Sequence, residues 1–258
     1  YTKPRSFIKG MGMDNRAIGF FDSGLGGLTS VPVLKRSLPN EKVLYFGDTA
    51  RTPYGSKSPD TVCKFSAQIV DYLVSKNVKL IVIACNTVTA MALDILRERH
   101  PEVPIVGVID PTARRVAVDG VSNVGIIGTK VTIESGVYAE SIHSLNPNIN
   151  TYSLACPAFV PLIEEGIIDN EIMDLTIKYY MDDFVKNNNI DSLILGCTHY
   201  PLIAANIKRI YPELKLYNSS AEVISDVVDI LTEKDMLAGE NDFPDRFYAS
   251  DLSENFLR

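Results

Sequence analysis

Leu80-Ile81-Val82-Ile83-Ala84-Cys85-Asn86-Thr87 and Ser192-Leu193-Ile194-Leu195-Gly196-Cys197-Thr198-His199 are the two stretches from which the fold of this chain is read. Each begins with a short apolar run of the kind that fills a strand buried on both faces of a parallel sheet. In each, a cysteine arrives where the strand stops, followed by small hydroxyl or amide side chains. Open α/β sheets bind ligands in the crevice outside the carboxyl ends of their strands. The pattern therefore predicts two thiols at equivalent strand ends, one in each half of the molecule.

Working outward, 258 residues with 46% hydrophobic content can bury one large core or two moderate ones. A net charge of −7 argues against a nucleic-acid partner, which usually calls for a basic face. It leaves a small anionic substrate open, because local donors bind small anions. No apolar run approaches the length of a membrane span, so no membrane partner is expected. Residues 1–14 carry no apolar segment of signal-peptide length and read as a polar lead-in, which makes a cytoplasmic protein the simplest expectation. The four cysteines, Cys63, Cys85, Cys156 and Cys197, form no C-x-x-C pair, so they are expected as free thiols, not as a zinc or redox pair.

The first strand is Ala17-Ile18-Gly19-Phe20-Phe21-Asp22, ending in an acid. The glycine-rich turn Ser23-Gly24-Leu25-Gly26-Gly27-Leu28-Thr29 follows and leads into a helix. This anatomy suits an anion at a helix N-terminus. It lacks the third glycine of a dinucleotide site and the Gly-Lys-Ser/Thr of a phosphate loop, and a plain tight turn explains it equally. Further strands are expected at 43–46, 80–83 and 103–109, with helices at 59–76 and 87–100. Asp110 or Thr112 is a possible cap for the helix that follows. The domain boundary is placed there. Val124-Gly125-Ile126-Ile127-Gly128-Thr129 then answers the first strand, and the second cysteine strand answers the first at a closely similar spacing. A strand at 151–155, a short helix at 159–166, a longer one at 170–187, a strand at 214–217 and a helix at 221–237 complete the second half. The tail, 241–258, reads as acidic and irregular. Strand–helix alternation throughout predicts two similar α/β domains with mostly parallel sheets, related by pseudo-two-fold symmetry, with the site in the cleft between them. The expected units are residues 15–110 with 219–258, and residues 111–218.

Packing explains most free cysteines, and Cys63 and Cys156 are read that way. Cys85 and Cys197 occupy mirrored ligand-edge positions. Two acid/base groups on opposite faces of one carbon can take a proton from one side and return one to the other, which inverts a stereocentre. A thiol suits the task, its reference pKa of roughly 8.5 lying near working pH. Asp22 is the candidate proton partner of Cys85 and His199 that of Cys197, with Glu164 or Glu165 orienting His199. Either His199 or the glycine turn could equally be structural. Ser23, Asn86, Thr87 and Thr198 are the donors available to a carboxylate on which charge develops. No pyridoxal-lysine motif and no metal-ligand cluster is apparent, so cofactor-free proton transfer is the reading.

Four segments carry a specific resemblance: Phe21-Asp22-Ser23-Gly24-Leu25-Gly26-Gly27, Gly47-Asp48-Thr49-Ala50-Arg51-Thr52-Pro53-Tyr54-Gly55, Ala84-Cys85-Asn86-Thr87 and Gly196-Cys197-Thr198-His199-Tyr200-Pro201. Together they resemble the glutamate racemases of the aspartate/glutamate racemase family, from residue 17 to about 231. The resemblance implies cofactor-independent interconversion of L- and D-glutamate, supplying D-glutamate for peptidoglycan in a bacterial cytoplasm. It implies that Cys85 acts on the D-enantiomer and Cys197 on the L-enantiomer. It implies substrate contacts from Asp22, Ser23, Tyr54, Gly55, Asn86, Thr87, Thr198 and His199, a C-terminal segment that returns to the first domain, and a homodimer. Two alternatives stay open. One is a racemase of aspartate or a hydantoin within the same two-thiol group. The other is a bilobal protein that clamps an anion without chemistry.

Overall fold

The computed structural model describes residues 13–252. The polar lead-in, except its last two residues, and the end of the tail lie outside the described residues. Strand β1 (Ile18–Asp22) is buried at all five positions, as expected of a run with no polar alternation. It is followed by α1 (Val31–Ser37), β2 (Val43–Gly47), α2 (Pro59–Ser75), β3 (Leu80–Ile83), α3 (Asn86–Arg99), β4 (Ile105–Gly107) and α4 (Ile109–Val118). The second series is β5 (Asn123–Gly128), α5 (Lys130–Glu134), α6 (Val137–Leu145), β6 (Asn150–Ala155), α7 (Phe159–Glu164), α8 (Glu171–Asn187), β7 (Ser192–Gly196), α9 (Ala204–Ile210) and β8 (Lys215–Asn218). Helix α10 (Ser219–Glu233) and strand β9 (Arg246–Ala249) close the described chain.

Two all-parallel sheets result, ordered β4-β3-β1-β2-β9 and β8-β7-β5-β6. Without β9 the first order is the second with the strands renumbered, so the internal repeat is a repeat of topology. In each sheet the chain reverses its direction of winding across the central strand, between β1 and β3 and between β5 and β7. Such a switch point opens a crevice at the carboxyl ends of the two strands. Phe21 lies in register with Ile83, and Gly128 with Gly196, so the residues that follow these pairs share one edge. One apolar cluster joins the sheets: Ile18, Phe20 and Val82 of the first and Val124, Ile126 and Ile194 of the second belong to it, with Ala113 of α4, Tyr138 of α6 and Val223 of α10.

The structure corrects several expectations. The strand expected over 103–109 pairs with β3 only from Ile105 to Gly107, and Ile109 already opens α4. Neither Asp110 nor Thr112 caps that helix. Asp110 lies in its first turn, where a carboxylate offsets the helix dipole, and Thr112 Oγ1 donates back to the Val108 carbonyl at 2.8 Å. Helix α10 starts at Ser219, capped by the Asn218 side chain, and ends at Glu233. The tail is not irregular throughout. Strand β9 adds to the edge of β2, Phe247 packs on Tyr45 with ring centres 6.3 Å apart, and Lys35 pairs with Asp245 at 2.7 Å. Four residues are too few for an alternation to stand out, and a parallel edge so far along the chain leaves no turn signal.

A second anchor is a buried ion pair. Lys79 Nζ lies 2.7 Å from Glu41 Oε2, and each residue is only 1% exposed. Lys79 also donates to the carbonyls of Asp14 and Met236, both at 2.6 Å, and Glu41 Oε1 accepts from the Ala238 amide at 2.8 Å. One pair thus fastens the segments before β1 and after α10 to the starts of β2 and β3.

Candidate active site

The carboxyl edges of the two sheets face each other, and Cys85 and Cys197 line a single cavity between them. Cys85 follows β3 by two residues and immediately precedes α3; it is 5% exposed. Its Sγ donates to Ser23 Oγ at 3.5 Å. Burial chiefly, and the nearby Asp22 charge next, push this thiol up to about 12, although the Ser23 hydroxyl and the Val88 amide pull the other way. Cys85 is therefore a protonated thiol at neutral pH. The first α3 amide in an i→i−4 bond is that of Thr89, to the Cys85 carbonyl at 2.9 Å. Of the preceding turn, the Val88 amide faces the Cys85 sulfur, and the amides of Asn86 and Thr87 have no intrahelical acceptor, as at other helix N-termini.

Cys197 directly follows β7 and is 7% exposed. Its Sγ is 3.9 Å from His199 Nδ1, and His199 Nε2 is 3.2 Å from Glu164 Oε1 at the end of α7. Glu164, not Glu165, therefore faces the imidazole. Burial favours neutral His199, but the Cys197 sulfur and the Glu164 carboxylate together outweigh it, and its pKa is raised to about 10. The two thiols are unlike: one lies beside the Ser23 hydroxyl and near a carboxylate, the other beside an imidazolium.

The sign of the resulting pH dependence follows from linkage. The folded chain keeps on His199 a proton that the unfolded chain releases above about pH 6.5. That stabilisation is complete below pH 6.5 and is lost as the pH rises through about 10. Stability is expected to fall across this window with a slope from this group of at most about 1.4 kcal/mol per pH unit. His199→Asn is expected to flatten the slope in denaturant melts; an unchanged slope would assign it to other groups.

Asp22 was expected both to serve Cys85 and to touch substrate. It is fully buried behind the cavity wall. Its Oδ2 accepts from the amides of Gly24 and Gly27, both at 3.1 Å, and Oδ1 from Thr198 Oγ1 at 3.4 Å. It acts on Cys85 through its charge, while Ser23 makes the direct contact. Ser23, Tyr54, Gly55, Asn86, Thr87, Thr198 and His199 line the cavity. Two glycines allow this closeness. A Cβ at Gly26 would lie 2.4 Å from Thr198 Oγ1, and one at Gly55 would lie 2.4 Å from Thr129 Cβ. Both are contacts between the two halves.

The Tyr54 loop is held from the C-terminal tail. Tyr54 donates its hydroxyl to Asp48 Oδ2, Arg51 Nε lies 2.7 Å from the same oxygen, and Ser250 Oγ donates to Asp48 Oδ1 at 2.7 Å. Thr129 and Thr132 are residues that sequence reasoning missed. With Thr87 they form a triangle of hydroxyls 3.0–3.2 Å apart across the two halves. The signal was present, since Thr129 is the counterpart of Ser23 in the repeat. Cys156 is buried in an apolar cluster with Phe159, Met173 and Leu193, and Cys63 donates to the Met91 carbonyl, so both serve packing. Among the described residues no group of three or more His, Cys, Asp or Glu converges as a metal site.

The cavity holds only ≈ 20 Å³, room for about one water. Thr52 and His199 separate it from a wider cleft of ≈ 370 Å³ on whose wall Glu164 lies.

The family model for Asp/Glu/hydantoin racemases matches residues 31–227. A glutamate racemase of Geobacter metallireducens is 45% identical over 246 residues, covering 94% of this chain and 90% of the relative. One of a Sulfurihydrogenibium species is 48% identical over 215 residues, covering 83% and 82%. The crystal structure of glutamate racemase from Francisella tularensis in complex with D-glutamate superposes with a TM-score of 0.88 at 44% identity, covering 94% of this chain and 91% of that one.

Proposed function

The chain belongs to the Asp/Glu/hydantoin racemase family, and from that premise we propose that it interconverts L- and D-glutamate by proton transfer at Cα, without a cofactor. The observation that carries this reading is that two cysteines from repeat-related strand ends line one cavity.

In the L-to-D direction, the Cys197 thiolate beside the His199 imidazolium removes the Cα proton. The Cys85 thiol, kept protonated by burial, delivers a proton to the opposite face. The sulfurs then hold exchanged protonation states, which is the starting state for the reverse reaction. Glu164 holds His199 in place, and the buried Asp22 charge favours return of the proton to Cys85. Charge that develops on the substrate carboxylate meets the α3 N-terminus and the side chains of Asn86 and Thr87. Glutamate is far larger than one water, so the two halves must part to admit it. In this reading those halves are residues 15–110 with 219–258, and 111–218; the place of β9 in the first sheet supports that division. The reading also includes a cytoplasmic homodimer that supplies D-glutamate for peptidoglycan.

The test is to incubate the protein with L-glutamate in deuterated water. D-glutamate carrying deuterium at Cα is the expected product. No exchange and no D-glutamate would favour an anion-clamping protein, and faster turnover of L-aspartate would move the assignment to that substrate. Light scattering that gives the mass of one chain would remove the dimer.

A further inference from the structure

Asn86 follows Cys85 directly, and its amide lies in a chain of hydrogen bonds whose direction can be worked out. The Leu195 carbonyl can only accept, and Ser219 Oγ donates to it at 3.2 Å. That bond uses the only hydrogen of Ser219. Ser219 must therefore accept from Asn86 Nδ2, 3.3 Å away. The amide is thereby oriented with Oδ1 toward the Tyr138 hydroxyl, at 2.5 Å. Two other hydroxyls stand by Tyr138, those of Ser219 and Thr112. Both hydrogens are committed, the Thr112 one to the Val108 carbonyl at 2.8 Å. Tyr138 is left as the donor to Asn86.

The consequence concerns the remaining Nδ2 hydrogen. Asn86 lines the cavity and is 2% exposed. With Oδ1 held by Tyr138 and one Nδ2 hydrogen held by Ser219, one Asn86 N–H is left uncommitted beside the cavity that the residue lines. The flipped amide would offer a carbonyl oxygen, which repels a carboxylate. The chain of bonds also joins the two halves. Asn86 belongs to α3, Tyr138 to α6, and Leu195 lies in β7 two residues before Cys197. The Tyr138 ring backs Gly196, whose added Cβ would lie 3.4 Å from it.

We propose that Tyr138 and Ser219 are positioning residues that lock the Asn86 amide with its N–H toward the cavity, so that it meets the anionic carboxylate of the substrate. This rests on the racemase reading above. Tyr138 keeps its ring in Tyr138→Phe and loses only the donor.

The experiment is a double-mutant cycle on kcat/KM for both enantiomers, with thermal melts of each variant. Tyr138→Phe is expected to lower kcat/KM by about tenfold to a hundredfold, the range of a hydrogen bond to a charged group. On an Asn86→Ala background the same change is expected to matter by no more than about twofold, because the residue it positions is gone. Ser219→Ala is expected to behave alike, and it carries the test if Tyr138→Phe does not fold. A change of less than about twofold in the single variants, or an undiminished loss on the Asn86→Ala background, would overturn the proposal. In the second case Tyr138 would act through Gly196 packing. A wild-type chain that exchanges no Cα hydrogen would instead remove the racemase reading, and this proposal with it.

Discussion

Cys85→Ser and Cys197→Ser are each expected to lower racemisation in both directions by roughly 10²–10⁴-fold, the usual weight of a positioned acid or base. A hydroxyl has neither the acidity nor the basicity to replace a thiol near neutral pH. The expected pattern is more specific than loss. In deuterated water the Cys85→Ser enzyme retains Cys197 beside His199, and so exchanges the Cα hydrogen of L-glutamate without inverting it. Cys197→Ser is expected to show the counterpart with D-glutamate. Both sulfurs are nearly buried at strand ends, and a hydroxyl is smaller than a thiol, so the melting temperature is expected to change little. Near-normal racemisation in both variants would end the two-thiol scheme. Exchange of both enantiomers in each variant would end the assignment of one cysteine to each face.

The largest effect on stability is expected far from the cavity, at Lys79→Met. The ammonium it removes is the ion partner of Glu41, and the carboxylate left behind belongs to a residue 1% exposed that has no other ion partner among the described residues. Breaking a buried pair from one side costs about 3–5 kcal/mol. For a chain of this size that corresponds to a fall in Tm of roughly 6–20 °C. The carbonyls of Asp14 and Met236 lose their donor as well, so both terminal segments are expected to loosen in hydrogen exchange. Glu41→Leu in the same chain is expected to restore much of the loss, because the apolar replacement of both partners leaves no charge to solvate. A single variant within about 1 kcal/mol of wild type would show that water reaches the pair.

Much of the site was legible because strand ends are legible. A short apolar run that stops at Cys85 or Cys197 marks a carboxyl edge, and the repeat indicates that two such edges belong to one design. The same rule applied to Val124-Gly125-Ile126-Ile127-Gly128 would have added Thr129. Tyr138 and Ser219 had no such mark. Each lies in or at the start of an amphipathic helix and looks like any core-facing residue there, and the meeting of α3, α6, α10 and β7 gives their hydroxyls partners. For Asp22 the sequence left the direction of the side chain open. A strand-end carboxylate can point into the crevice or back under its own turn, and the amides of Gly24 and Gly27 draw it under.

The amino-acid order alone determined the class of fold, the repeat, the strands that carry the thiols and the chemistry those thiols suit, because these follow from local periodicity and from residue type at a strand end. The tertiary structure decided which groups meet: that both sulfurs border one cavity, that Glu164 reaches His199, that Ser23 and not Asp22 bonds Cys85, and that the tail returns as an edge strand. These are contacts between residues far apart in the chain. Their geometry depends on how two sheets pack, and no local pattern encodes that.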